Sequence, residues 1–68
     1  MSEIIFLVEE DLESGFNARA LGQSIFTQAS SIIKLKENIR EAVLCHFDEG
    51  EAPKIIRLHF VKEEVLAL

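Results

Sequence analysis

Five consecutive apolar residues, Ile4, Ile5, Phe6, Leu7 and Val8, stand between Glu3 and Glu9 near the start of a 68-residue chain. Branched and aromatic side chains dominate the run, which reads as a β-strand. Side chains alternate along a strand, so Ile4, Phe6 and Val8 share one face and Ile5 and Leu7 the other. Both faces are apolar, which predicts an interior strand of a sheet. A chain of this size buries only about 60% of the surface its unfolded form exposes. One small sheet with one helix is close to the limit, so barrels and double nucleotide-binding domains are excluded.

The remaining elements follow from spacing. Residues 9–15 are acidic and end at Gly15, a hairpin connection. Phe16 to Ala20 alternates, with Phe16, Ala18 and Ala20 on one face and Asn17 and Arg19 on the other. Gly22, Gln23 and Ser24 make a turn into a short strand, Ile25 to Ala29. Ser30 or Ser31 then offers a hydroxyl to the free N–H groups of a helix start. Ile32, Leu35, Ile39, Ala42, Val43 and His46 form its apolar stripe, with Lys34, Glu37, Asn38 and Glu41 opposite. Gly50 is suited to the left-handed cap after Asp48 and Glu49, and Pro53 prevents the helix from resuming. The last strand is Lys54 to Val61, with Ile56, Leu58 and Phe60 on one face and Ile55, Arg57, His59 and Val61 on the other. The tail ends in Val65, Leu66, Ala67 and Leu68.

The expected fold is α+β, in the order β-β-β-α-β, as a single domain over residues 1–68. A meander of three antiparallel strands is followed by a helical crossover that lays the fourth strand parallel to the first. The doubly apolar first strand then lies between the second and fourth, giving a mixed sheet of order 3-2-1-4. One helix covers one face. Ile5, Leu7, Ile55 and Val61, with Arg57 and His59 among them, remain on the other and form the expected interface of a homo-oligomer. In such a pair an acid of the second subunit, Glu63 or Glu64, is a candidate partner for Arg57.

Acids outnumber bases 12 to 7, a net charge of −5, opposite in sign to a freestanding nucleic-acid binder. The basic residues are scattered and there is no Tyr or Trp to stack on bases, so no direct nucleic-acid contact is expected. Cys45 is the single cysteine, so no intramolecular disulfide can form and the expected compartment is the cytoplasm. The first apolar run is too short for a signal sequence or a membrane span.

Catalytic constellations are thin. Glu9, Glu10, Asp11 and Glu13 are the densest charges. They read as a solvated turn, as a surface for a basic partner, or as carboxylates for a metal or for acid–base work. The loop is too short for an EF-hand-like site. Cys45 and His46 are adjacent on the helix and point about 100° apart, which prevents a shared metal or a nucleophile–base pair. No cofactor, no metal and no enzymatic activity are expected.

A family resemblance rests on four segments. They are Ile4-Ile5-Phe6-Leu7-Val8-Glu9-Glu10, Glu13-Ser14-Gly15-Phe16-Asn17-Ala18-Arg19, Ile25-Phe26-Thr27-Gln28-Ala29-Ser30, and Leu35 through Val43 with its Arg40-Glu41-Ala42-Val43 end. Together they resemble the N-terminal domain of HicB-like antitoxins, over nearly the whole chain. Ala29 stands where members usually have glycine, and Leu21 to Ser24 where many have a proline-containing loop. The resemblance implies a partial ribonuclease-H-like β-β-β-α-β unit, in agreement with the order read from the residues. It further implies a protein-interaction module that masks a small, basic, RNA-cleaving HicA-like toxin, here with no DNA-binding domain. The alternative is an orphan homo-oligomeric domain without a toxin. The apolar spans of all four strands are free of Asp and Glu, which argues against a two-metal nuclease.

Overall fold

The computed structural model describes residues 2–13, 15–62 and 64–68. Its elements are β1 (Glu3–Asp11), β2 (Gly15–Ala20), β3 (Phe26–Ala29), α1 (Ile32–His46) and β4 (Ile55–Val61). They form one mixed sheet of order β3-β2-β1-β4. β1 runs antiparallel to β2 and parallel to β4, and β2 runs antiparallel to β3. The order and directions are those expected from the two-sided apolar character of β1.

The core is the alternating row of β1 pressed under α1. Ile4, Phe6 and Val8 are buried with Leu35, Ile39 and Val43 of the helix, and Ala18, Ala20 and Ile25 complete the set. Phe6 stands opposite Ala20 and Val8 opposite Ala18 in the β1–β2 register. The two small residues make room for the large ones and for a close helix. Truncating a side chain such as Phe6, which is fully enclosed, to alanine costs about 3–5 kcal/mol. That is comparable with the whole stability of a domain this small.

Ser31 caps the helix. Its backbone is extended, and its Oγ accepts the Lys34 N–H at 3.2 Å. Lys34 pairs with Glu37 one turn on, at 3.5 Å. Asn38 donates from Nδ2 to the Gln28 carbonyl at 3.1 Å and ties the helix to the edge strand β3. At the other edge, the Lys54 and Ile55 N–H groups donate to the Ser2 carbonyl and bring β4 alongside the start of β1.

Several boundaries differ from expectation. β1 does not end at Glu9: it stays paired through Glu10 opposite Phe16 and Asp11 opposite Gly15, so the connection is residues 12–14. Cross-strand hydrogen bonding extends the strand through residues whose side chains favour solvent. The helix stops at His46, and Phe47 caps it in an extended conformation, its N–H donated to the Val43 carbonyl. Gly50 therefore does not cap the helix. Its φ of 82° serves a separate turn closed by the Glu51 N–H on the Asp48 carbonyl. His46, expected in the apolar stripe, is exposed, and Ile25 is buried just ahead of β3 rather than within it. The helix also sits off centre, nearest β3 and β2. On β4 this leaves Ile56 and Leu58 half-buried and Phe60 59% exposed, although they belong to the helix-side face.

Gly15 fixes how the hairpin meets the helix entry. Its φ is +93°, and a Cβ there would lie 2.5 Å from the Ala29 carbonyl oxygen and 2.8 Å from the Ser30 Cα. Gly22 has a similar φ of +82° but open space around it. Gly22→Ala is expected to cost about 1 kcal/mol from backbone strain alone, and Gly15→Ala about 3 kcal/mol, because backbone must also shift. Urea midpoints at matched protein concentration measure both; equal losses would contradict the close approach at Gly15.

Candidate functional site

The face of the sheet turned away from α1 is assembled by strand register. Phe26, Arg19, Leu7 and His59 lie side by side across β3, β2, β1 and β4. Gln28, Asn17, Glu9 and Val61 form the next row toward the hairpin, and Ile5 lies beside Arg57 toward the other end. Ile5 and Leu7 are half-buried between their neighbours. Phe26 is 62% exposed, Ile55 50% and Val61 47%. All six residues expected at an oligomer interface (Ile5, Leu7, Ile55, Arg57, His59 and Val61) are thus brought together on one face. Residues 64–68 are exposed, so the tail does not cover that face within its own chain.

Register also decides the ion pairing. Arg57 donates from Nε to Glu3 Oε2 at 2.8 Å, from β4 to the start of β1. The guanidinium therefore has a partner in its own chain and does not need Glu64 of a second one; Glu63, the other acid expected there, lies outside the described residues. Both partners of the pair are about half exposed, so it contributes at most about 1 kcal/mol.

The four acids expected to act together are divided by the pleat. Glu9 and Asp11 project from the open face of β1, Glu10 from the helix-side face beside Phe16, and Glu13 lies in the connection. All four are exposed. The Glu13 N–H donates to Asp11 Oδ1 at 2.9 Å, a local side-chain turn. Glu9 and Glu10 join Leu12, Val61, Lys62 and Val65 around a recess of about 310 Å³ where the tail leaves the body. Among the described residues no three His, Cys, Asp or Glu side chains form a group able to hold a metal. What the arrangement offers is negative potential at one end of the sheet, spread to both sides. The apolar spans of the strands are free of acids, but the far end of β1 carries three.

Cys45 is exposed on α1. His46 Nε2 lies 3.2 Å from Gln23 Oε1, and its ring meets Phe47 edge-on with centroids 5.0 Å apart. The imidazole thus ties the helix end to the turn before β3.

Two features escaped the sequence reading. Phe26 belongs to the open face, a consequence of its pairing with Arg19. A groove of about 260 Å³ runs between α1 and β4, lined by Lys36, Ile39, Arg40, Ile56 and Leu58. The apolar residues were legible as helix-side positions. The gap between them depends on where the helix lies across the sheet.

No helix among the described residues is long and apolar enough to cross a membrane. No family model matches the chain, and no solved structure matches it. Two relatives carry the name UPF0150 protein. One, from Archaeoglobus fulgidus, is 62% identical over 52 residues, covering 76% of this chain and 77% of the relative. The other, from Thermotoga maritima, is 42% identical over 66 residues, covering 97% of this chain and 93% of the relative.

The exposed positions of the four acids have a direct consequence for stability. Changing Glu9, Glu10 and Glu13 to Gln and Asp11 to Asn removes four like charges and keeps the Oδ1 acceptor at residue 11. The urea midpoint is expected to stay the same or rise; a clear fall would mean that the acids hold structure together.

Proposed function

The chain belongs to the UPF0150 family, and from the open sheet face we propose that it is a protein-binding module without a catalytic step of its own. The observation that carries this reading is the apolar row Ile5, Leu7, Ile55 and Val61, left uncovered in a domain with one helix. A lone 68-residue chain has little core to spare. Pairing two such faces about a twofold axis removes the exposed apolar surface and adds the missing burial. The Arg57–Glu3 pair lies on that face and gives it a fixed polar mark.

The function proposed for the module is neutralisation of a toxin, in line with the resemblance to HicB-like antitoxins. The partner is a small, basic, RNA-cleaving protein of the HicA type. A surface that binds RNA phosphates is positive, and the acidic end of β1 supplies the complementary field. Residues 1–30 hold five acids against the single Arg19. The open face supports a second reading, a homo-oligomer with no toxin at all. The two readings separate on the genome: a short, basic, histidine-containing reading frame beside this one supports the antitoxin.

Two measurements test the proposal. In the first, Ile55→Asp with Val61→Asp is expected to shift the sedimentation-equilibrium mass toward monomer and to lower the urea midpoint, while the circular dichroism stays that of a folded chain, because both side chains are already half exposed. A parent protein that is monomeric at micromolar concentration would overturn the paired module. In the second, the adjacent-frame protein is mixed with this one, and suppression of its RNA cleavage is followed together with the association rate. The amide variant of Glu9, Glu10, Asp11 and Glu13 should associate more slowly, with a flatter salt dependence. An unchanged rate would remove the acidic end from the contact.

A further inference from the structure

The groove between α1 and β4 is chemically unlike the rest of the surface. Its floor is Ile39, Ile56 and Leu58, and its rim carries Lys36 and Arg40. These two cations stand four residues apart on the helix, where like charges repel. Neither forms an ion pair with a described residue. In a chain with 12 acids and 7 bases, two unpaired cations beside an apolar floor are a local reversal of sign. A fitting occupant is an extended segment with acids next to apolar side chains.

The chain contains such a segment. Residues 62–68 read Lys-Glu-Glu-Val-Leu-Ala-Leu, with Glu63 and Glu64 directly before Val65, Leu66 and Leu68. In an extended strand Glu64, Leu66 and Leu68 project from one side, at the same two-residue spacing as Ile56 and Leu58 on β4. Val65, Leu66 and Leu68 are exposed, among the most open large apolar side chains in the molecule. We infer that this tail docks in the α1–β4 groove of a second copy of the chain, with Leu66 and Leu68 on the apolar floor and Glu64 against Lys36 and Arg40.

A second copy is favoured over the tail's own body for two reasons. Residues 64–68 are exposed, so the tail is not packed into its own body, and the molecule is elongated: it extends 51 Å along its longest axis and only 20 and 17 Å across, and its radius of gyration is 13.3 Å. A compact chain of this length would have about 11 Å. To reach the groove of its own chain the tail would also have to reverse beside the strand it has just left, and residues 62–68 contain no Gly, Pro, Asn, Asp or Ser to make that turn. Extended forward, seven residues reach about 23 Å, far enough to cross onto a neighbour. Reciprocal exchange about a twofold axis fills both grooves. This contact lies on the helix side of the sheet and does not rest on the toxin reading.

The experiment mixes isotope-labelled and unlabelled full-length chains and records filtered methyl NOEs between copies. Contacts from Leu66 and Leu68 to Ile39, Ile56 and Leu58 are expected across copies. Contacts found only within one copy, or none, would overturn the inference. A charge exchange gives an independent reading. Lys36→Glu with Arg40→Glu should weaken self-association on the order of tenfold, as should Glu63→Lys with Glu64→Lys. An equal mixture of the two reversed chains should regain the parent affinity; failure to regain it would count against the docking. A dimer lacking these NOEs removes the tail contact and leaves open-face pairing standing. Tail NOEs that persist in an Ile55→Asp, Val61→Asp variant whose mass is unchanged from the parent remove the open-face pairing instead.

Discussion

Everything else in this molecule depends on the burial of one row of β1 under one face of α1. Ile4, Phe6 and Val8 meet Leu35, Ile39 and Val43 with almost no solvent left among them. Alternation leaves no freedom once that row is buried. Ile5, Leu7 and Glu9 must face the opposite way, and the register carries the consequence to Arg19 and Asn17 on β2 and to Arg57, His59 and Val61 on β4. A slip of one residue in β1 would exchange the two faces. The open surface is therefore as strongly determined as the core, because the same pleat produces both.

The position of the helix is the second constraint, and it rests on small residues. Ala18 and Ala20 of β2 lie beneath α1, and the Asn38 side chain hydrogen-bonds the carbonyl of Gln28 on β3. The helix is drawn toward that edge, and one helix cannot cover four strands from there. Ile56, Leu58 and Phe60 on β4 share the buried face by parity and yet remain partly in contact with solvent. The domain thus has apolar surface left over on both sides of the sheet near the same strand. A larger protein would cover β4 with another helix. Here the tail that follows β4 ends in apolar residues, and its described part is exposed.

Much of this was legible in the residues because the signals were local and agreed with one another. The run from Ile4 to Val8 gives an interior strand, the pair Ser30 and Ser31 a helix start, and the spacing of Leu35, Ile39 and Val43 a buried stripe; strand order follows from placing the doubly apolar strand inside. The errors came where a nonlocal term overrode local chemistry. Glu9, Glu10 and Asp11 have solvent-seeking side chains, yet pairing with Asn17, Phe16 and Gly15 holds them in β1. Gly50 has the right chemistry for a helix cap, but the chain leaves the helix at Phe47 and uses the glycine in the next turn. The Glu3–Arg57 pair joins residues 54 positions apart and depends on the parallel β1–β4 register. The groove under Lys36 and Arg40 follows from the helix offset, a property of packing that no periodicity encodes.

The arrangement of charge bears on which surface meets which partner. The acids of β1 collect at the hairpin end of the sheet, on either side of the strand, whereas Lys36 and Arg40 stand over the α1–β4 groove. Interactions between exposed charges fade beyond about 10 Å at ordinary ionic strength, so each cluster acts chiefly on what comes close to it. A basic protein approaching the hairpin and an acidic segment entering the groove would then bind without competing for the same field. On the open face the Glu3–Arg57 pair is neutral as a unit, Arg19 lies in its middle row, and Glu9 and Asp11 project at its hairpin end. Association through its apolar residues would be driven by burial and be less sensitive to salt than contacts at the hairpin end and in the groove, which would weaken as salt rises. Salt dependence therefore distinguishes the three surfaces within one 68-residue chain, because each joins apolar area and charge in a different proportion.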